Sequence, residues 1–249
     1  MKALITGASS GIGRNMAIYL SKLGYDIYVV ARREDRLIEL KNTLSGKVIP
    51  LVYDLSNEAQ CFELFDKLKD EKLDIVINNA GMGIFGEFCE TDLVKEINMI
   101  DINIKSLHIL TKLFLKKFVK EDGGHILNVS SAAGFMMGPL FSSYYASKSY
   151  VLRLSQAIHR ELKECKSNVK ISVLCPGPVK TEFDSVAQIK SSLDGISSEF
   201  VAKYAIDKML KGHFMIIPGL QMKVAVLMSK ITPDNLLSKI TYICQSKKK

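Results

Sequence analysis

Thr6-Gly7-Ala8-Ser9-Ser10-Gly11-Ile12-Gly13 stands between the apolar run KALIT (residues 2–6) and an amphipathic stretch running from Ile12 to Leu23. A strand, a glycine turn and a helix in that order are what this passage predicts. Gly7 permits a tight turn, and at Gly11 and Gly13 the missing side chains let backbone and helix come close to a ligand. An anion placed there meets the positive end of the helix, so the turn reads as a pyrophosphate site, with Ser9, Ser10 and Ile12 among its contacts. The spacing departs from the GxGxxG dinucleotide fingerprint, and a plain glycine loop is the competing reading.

Outward from that turn, β-branched runs alternate with helical patterns. DIYVVA (26–31), KVIPLVY (47–53), LDIVIN (73–78), GHILNVS (124–130), VKISVLC (169–175) and HFMII (213–217) follow KALIT as strands. They are nearly continuous apolar runs, which parallel strands covered by helices on both faces require. The pattern predicts an α/β, doubly wound sheet of seven strands, mostly or wholly parallel, with right-handed crossovers. Without a Gly/Ser linker or a repeat of solenoid period, residues 1–249 read as one domain. Residues 1–183 form its core. Residues 184–249 hold a substrate loop with a polar stretch from Gln188 to Ser198, a helix over Ser198 to Lys211, the last strand and a C-terminal helical extension. That extension is basic and amphipathic: Leu220, Val224, Leu227 and Ile231 share one stripe before Pro233 breaks it.

Hydrophobic residues make up 47% of the chain and charged residues 24%, a balance that supports a sizeable folded core. Five scattered cysteines form no CxxC pair and four histidines are dispersed. We therefore expect no disulfide framework and no metal, and a cytoplasmic, reducing setting. The apolar stretch at the N-terminus is too short for a signal peptide, and no run reaches membrane-spanning length. The formal charge of +8 is concentrated at one end: from Lys203 to Lys249 there are nine lysines against Asp207 and Asp234, a net of +7. Lacking interleaved aromatics, this reads as a solvated face rather than a nucleic-acid site.

The N-terminal turn resembles the TGxxxGxG motif of the short-chain dehydrogenase/reductase family, and further family-like elements follow in order. These are Asp54-Leu55 after the third strand, Asn78-Asn79-Ala80-Gly81 after the fourth, Asn103, and Asn128-Val129-Ser130-Ser131 at the end of the fifth. Tyr144-x-x-x-Lys148 and Pro176-Gly177-x-Val179-x-Thr181 complete the set, so the resemblance covers residues 1 to about 183. It implies a Rossmann-type fold and hydride transfer between a nicotinamide cofactor and a carbonyl or alcohol carbon. Asp54 resembles the family's contact to the adenine amino group, and Asn79-Ala80-Gly81 the segment lining the adenosine side. Pro176-Gly177 would bend the chain over the nicotinamide, with Val179 and Thr181 binding its carboxamide.

The second strand ends at Ala31-Arg32-Arg33, where NAD-preferring relatives carry an acid. Arginine can clamp a 2′-phosphate that an acid would repel, which favours NADP(H), with Ser9 adding a hydroxyl. The competing reading makes Arg32, Arg33 and Arg36 solvated residues heading a surface helix.

Reduction of a ketone builds negative charge on oxygen, so a proton donor must stand beside it. A tyrosine serves if a positive neighbour draws its pKa from about 10 toward neutrality. Tyr144 and Lys148, four apart, share a helical face. Tyr145, three before Lys148, competes, but the family spacing selects Tyr144. Ser131, thirteen residues upstream at a strand end, can hydrogen-bond the substrate oxygen. Asn103, within a helix beginning around Asp92, resembles the asparagine that holds a water joining the lysine to solvent. Each of these alone has an ordinary structural reading; four in register behind a nucleotide turn point to catalysis.

Substrate recognition is expected from Ala133 to Ser143, with Phe135, Met136, Met137, Leu140 and Phe141 as an apolar surface, from the loop after Thr181 and from the C-terminal segment. This favours a hydrophobic carbonyl or alcohol. The C-terminal stripe reads as a lid, a subunit contact or a weak membrane-surface contact. Relatives imply a homodimer or homotetramer. Non-catalytic NADP(H) binding in a regulatory role is the alternative, disfavoured because both tyrosine and lysine are present.

Overall fold

The computed structural model describes residues 1–187, 189 and 195–247. Strand β1 (Lys2–Thr6) leads into α1 (Gly11–Lys22), β2 (Asp26–Ala31), α2 (Glu34–Thr43), β3 (Val48–Val52), α3 (Glu58–Leu68) and β4 (Ile75–Asn78). Then come α4 (Leu93–Ile100), a π-helical segment (Asp101–Ser106), α5 (Leu107–Lys120), β5 (His125–Val129), a 3₁₀ turn (Ala132–Phe135), α6 (Ser142–Glu164) and β6 (Lys170–Leu174). Beyond β6 the chain forms β7 (Val179–Lys180), α7 (Phe183–Val186), β8 (Ile196–Ser197), α8 (Ser198–Leu210), β9 (Met215–Ile216), α9 (Leu220–Ser229) and α10 (Asp234–Ser246).

Seven strands pair in the order β3-β2-β1-β4-β5-β6-β9, every pair parallel. The apolar strand runs account for this. Successive side chains point to opposite faces, and both faces need cover. Ala3, Ile5, Ile27, Val29 and Ile77 pack on one side with Met16 and Leu20 of α1 and Val201 and Ala205 of α8. Leu4, Val30, Val76 and Ile126 pack on the other with Leu64 of α3 and Phe114 and Phe118 of α5. Each fully buried Leu, Ile or Phe contributes about 1.5–3 kcal/mol of transfer free energy, so the sheet is the stiff element on which the loops depend.

The seven expected strands and the doubly wound order are present. β7 and β8, a short parallel pair built from the segment after β6, were not expected. Of the polar stretch over residues 188–198, residues 188 and 190–194 lie outside the described residues. Pro233, expected only to end a helix, occupies the N-cap position of α10, where its fixed φ suits helix entry. No helix among the described residues is long and apolar enough to cross a membrane.

The strand order reverses between β1 and β4, whose carboxyl ends therefore diverge into a crevice. Three helix starts are sealed by side chains: Asn57 accepts from the Ala59 amide, Asp92 from Lys95 and Ser197 from Phe200. Ser10, at the start of α1, makes no such bond, and the first turn of α1 holds no acid. Its free N–H groups and positive end face the crevice.

Candidate active site

The crevice deepens into a cavity of about 870 Å³. Gly7, Ser9, Ser10, Gly11 and Ile12 form one wall. Gly7 has φ +65°, and a Cβ there would fall 2.8 Å from the Ala80 Cα. Gly13 does not line the cavity; it is packed beneath the turn, where a Cβ would meet the Gly7 carbonyl oxygen at 2.4 Å. Asn79 ties the turn to β4. Its side-chain amide donates to the carbonyls of Thr6 (3.0 Å) and Gly7 (3.2 Å), and the Thr6 hydroxyl accepts from the backbone of Asn79 and Ala80. These bonds hold the glycine backbone open toward the cavity, and Asn79, Ala80 and Gly81 line it.

At the other end of the same wall lie Arg32, Arg33, Asp54 and Leu55. The two arginines differ. Arg33 donates to the Ser9 hydroxyl (3.1 Å) and pairs with Glu182 (2.9 Å), which Arg36 also approaches at 3.7 Å. Arg32 stands 3.9 Å from Asp54, whose carboxylate accepts from the backbone and hydroxyl of Ser56. Arg33, Ser9 and the end of α1 thus converge, whereas Arg32 turns toward Asp54. Glu182 was not expected here: it lies in the loop after Thr181, 149 residues from Arg33, and only the fold brings the two together. The guanidinium holds the Glu182 carboxyl below its ordinary range.

Tyr144 and Lys148 sit on the same face of α6, both buried and both on the cavity wall, beside Ser131 at the end of β5. The phenol ring stacks on Phe141 with centroids 4.5 Å apart, and the Lys148 ammonium lies 5.7 Å from its centre. Lys148 Nζ donates to the Val129 carbonyl at 3.0 Å, fixing the lysine against the sheet. The competing Tyr145 also reaches the cavity, but its hydroxyl is engaged by the Gln245 amide of α10.

One expectation is corrected. The Tyr144 phenol is not drawn toward neutrality: burial, the largest influence, pushes it above its ordinary value, and a hydrogen bond with Ser131 only partly offsets this. Burial lowers Lys148 to about 8, so the ammonium gives up its proton more readily than a solvated lysine does. Tyr144 is therefore held as a neutral phenol across the physiological range, the form that donates a proton.

Asn103 is fully buried and does not reach the cavity. Its side chain accepts from the Met82 amide and donates to the Met82 carbonyl and the Ser147 hydroxyl, all near 2.9–3.0 Å. It thereby joins the loop after β4 to α6. It lies in the π-helical segment rather than in regular helix, a local widening that frequently marks functional positions.

Pro176, Gly177, Val179 and Thr181 also line the cavity, and the Pro176 carbonyl accepts from Ala132, binding this loop to the 3₁₀ turn. Of the apolar residues expected to meet substrate, Met136 and Phe141 line the cavity while Phe135, Met137 and Leu140 do not. The 3₁₀ turn sends Phe135 to a separate cluster with Leu152 and Val173, and Leu140 is buried with φ +64°. Their places are taken by Met82, Phe183 and Met222, and by Leu237 and Thr241 from α10. Phe183 lies in the loop after Thr181, and Met222, Leu237 and Thr241 in the C-terminal segment, the two further regions expected to contribute, whereas Met82 comes from the loop after β4.

The short chain dehydrogenase family model matches residues 1–191. The chain belongs to the short-chain dehydrogenase family. Among its relatives, this short-chain dehydrogenase is 31% identical over 214 residues to an oxidoreductase of Staphylococcus saprophyticus, covering 83% of this chain and 91% of that one. It is also 31% identical over 214 residues to the very-long-chain 3-oxoacyl-CoA reductase of Rattus norvegicus, covering 82% of this chain and 67% of the relative. A short-chain dehydrogenase from Sphingobium yanoikuyae, solved in complex with NADPH, superposes with a TM-score of 0.83 at 29% identity, covering 92% of this chain and 93% of that one. The chain is thus an oxidoreductase with a wholly parallel seven-stranded sheet.

In this short-chain dehydrogenase the cavity has two chemically different parts. The uncapped end of α1, the glycine turn and Arg33 suit an extended anionic ligand. The part bounded by Met136, Phe141, Phe183 and Met222 is apolar, and Tyr144 and Ser131 place its two hydroxyls where the two parts meet.

Proposed function

We propose that this chain is an NADP(H)-dependent reductase of hydrophobic carbonyl compounds, with Tyr144 as the proton donor. The observation that carries the reading is the buried Tyr144–Lys148 pair beside Ser131, at the junction of the polar and apolar halves of one cavity. The residues present fit a dinucleotide: glycine Cβ atoms would fill the turn at Gly7 and Gly13, and α1 offers an uncapped positive end. The nicotinamide would supply the hydride. Gly7, Ser9, Ser10, Gly11 and Ile12 would hold the pyrophosphate. Asp54, Leu55, Asn79, Ala80 and Gly81 would hold the adenosine side, and Pro176, Gly177, Val179 and Thr181 the nicotinamide side. The NADPH complex of the Sphingobium yanoikuyae protein supports this assignment, and the very-long-chain 3-oxoacyl substrate of the rat relative supports a long apolar carbonyl compound.

The chain's own part in the reaction follows from the protonation states. The Tyr144 phenol donates its proton as charge builds on the carbonyl oxygen, while Ser131 hydrogen-bonds that oxygen. The phenolate left behind is stabilised by the Lys148 ammonium. Asn103 is a positioning residue, holding Met82 and Ser147 so that the α6 face stays in place. We also assign the whole chain to one domain, in a reducing compartment, and to a homodimer or homotetramer using the exposed Leu93, Val94 and Ile97 of α4.

Screening NADPH oxidation against aliphatic, aromatic, acyl and steroidal ketones tests the reading. Turnover of bulky ketones is expected; tight NADPH binding with no turnover of any carbonyl would favour the regulatory alternative.

Two further results are expected. Lys148 loses its proton near pH 8 because burial disfavours the charged form, and with that proton goes the charge that stabilises the phenolate. Reductive kcat/KM should therefore hold below about pH 8 and fall above it; a profile still flat at about pH 10, the ordinary lysine range, contradicts this. Cofactor preference should follow Arg33 rather than Arg32. A charge-assisted hydrogen bond is worth about 1.5–3 kcal/mol, so Arg33→Ala should lower the NADPH-over-NADH preference by roughly ten- to a hundredfold, measured as the ratio of kcat/KM. Glu182→Gln frees Arg33 from an exposed pair worth about 0.2–1 kcal/mol and should raise NADPH affinity up to about fivefold.

A further inference from the structure

Helix α9 carries apolar side chains on both of its sides. Met222 lines the cavity and Val226 is buried at 3% exposure. On the opposite side Leu220, Val224, Leu227 and, just past the helix end, Ile231 form the stripe seen in the sequence, and it is turned to solvent: Leu220 is 76% exposed, Leu227 61% and Ile231 69%. Helix α10 repeats the arrangement. Leu237, Thr241 and Gln245 are buried, while Leu236, Ile240 and Ile243 are exposed. A helix with apolar side chains on two sides requires cover on both, and the fold covers only one.

Charge identifies the cover. Lys223 and Lys239 are exposed on the same two helices and Lys230 and Lys247 just past their C-terminal ends, and no ion pair among the described residues involves them. Asp234 is the single acid from Lys208 to the last residue. A two-fold contact between copies would set this face against itself, lysine near lysine. An anionic lipid surface pairs those lysines with phosphate and takes the aliphatic side chains into the headgroup–acyl boundary. At ten residues, α9 is about 15 Å long and lies along a bilayer rather than through it. Met228 and Ile240 line the cavity and are also half-exposed, so the cavity rim belongs to this same face.

We propose that the α9–α10 face docks on an anionic bilayer surface, with the rim of the cavity turned toward the lipid. The proposal concerns where the molecule sits; it does not depend on hydride transfer, and loss of one reading leaves the other standing. The test is co-sedimentation of the full chain with phosphatidylcholine vesicles and with vesicles enriched in phosphatidylglycerol. The wild type should pellet with the anionic vesicles, less so as salt rises. A Lys223→Glu/Lys230→Glu variant and a Leu227→Asp/Ile231→Asp variant should each bind at least about tenfold more weakly. All four positions are exposed, and unchanged circular dichroism and NADPH binding establish that the variants are folded. The proposal is overturned if the wild type stays in the supernatant with anionic vesicles or if both variants pellet as it does. It is equally overturned if the wild type is a dimer that Leu227→Asp/Ile231→Asp converts to monomer, which makes a second copy the cover.

Discussion

Tyr144→Phe lowers reductive kcat by about 10²–10⁴-fold while leaving NADPH affinity within about twofold of wild type. The substitution removes one hydroxyl and keeps the ring, so the 4.5 Å stack on Phe141 and the shape of the cavity wall persist. What is lost is the proton that burial holds on Tyr144 at physiological pH. Tyr145→Phe is the control. Its hydroxyl is bonded to Gln245 on α10, and removing it should alter substrate KM more than kcat. Stopped-flow NADPH oxidation, with fluorescence titration of the cofactor, separates the two effects. Retention of more than about a tenth of wild-type kcat in Tyr144→Phe would sink the proton-donor role.

Gly13→Val has the second large effect, and it acts on binding through packing. A Cβ at Gly13 falls 2.4 Å from the Gly7 carbonyl oxygen and 2.3 Å from the Asn79 side-chain amide. Neither can give way cheaply: the first is backbone of the glycine turn, and the second bonds both Thr6 and Gly7. Relief requires the turn to open and the Asn79 bonds to break. Overpacking of this kind costs about 3 kcal/mol, a fall of roughly 10 °C in Tm for a chain of this size. NADPH binding should be lost at the same time, because the turn that opens is the one proposed to cradle pyrophosphate. Gly123→Ala, where a Cβ meets nothing within 4 Å, should leave both quantities unchanged. Differential scanning calorimetry and cofactor titration of the two variants check the pair; normal cofactor affinity in Gly13→Val contradicts the cradle.

Much of the site could be read from residue order because each part of it is local. Tyr144 and Lys148 share a face by helical period alone, and Ser131 reaches the cavity because β5 ends there. Parallel strands all end at the same edge of the sheet, so motifs at strand ends far apart in the chain meet there. The same logic failed within residues 133–143, where the 3₁₀ turn rotates Phe135 away from the cavity and leaves Met136 and Phe141 to line it. Nor does residue order separate Arg32 from Arg33, both of which line the cavity. Adjacent residues entering a helix point in different directions, and only the position of Ser9 distinguishes them. The π-helical segment that holds Asn103 carries no residue pattern of its own.

Strand alternation, the glycine turn and the four-residue spacing of Tyr144 and Lys148 were determined by the amino-acid order, since backbone period and the absence of a Cβ act over a few residues. Tertiary structure alone decided the raised phenol, the lowered Lys148, the Glu182 contact to Arg33 and the outward exposure of the α9 stripe. Each of these depends on how much water the surrounding elements exclude and on which distant charge they bring near. Burial and Coulomb energy are properties of the whole packed chain rather than of any segment within it.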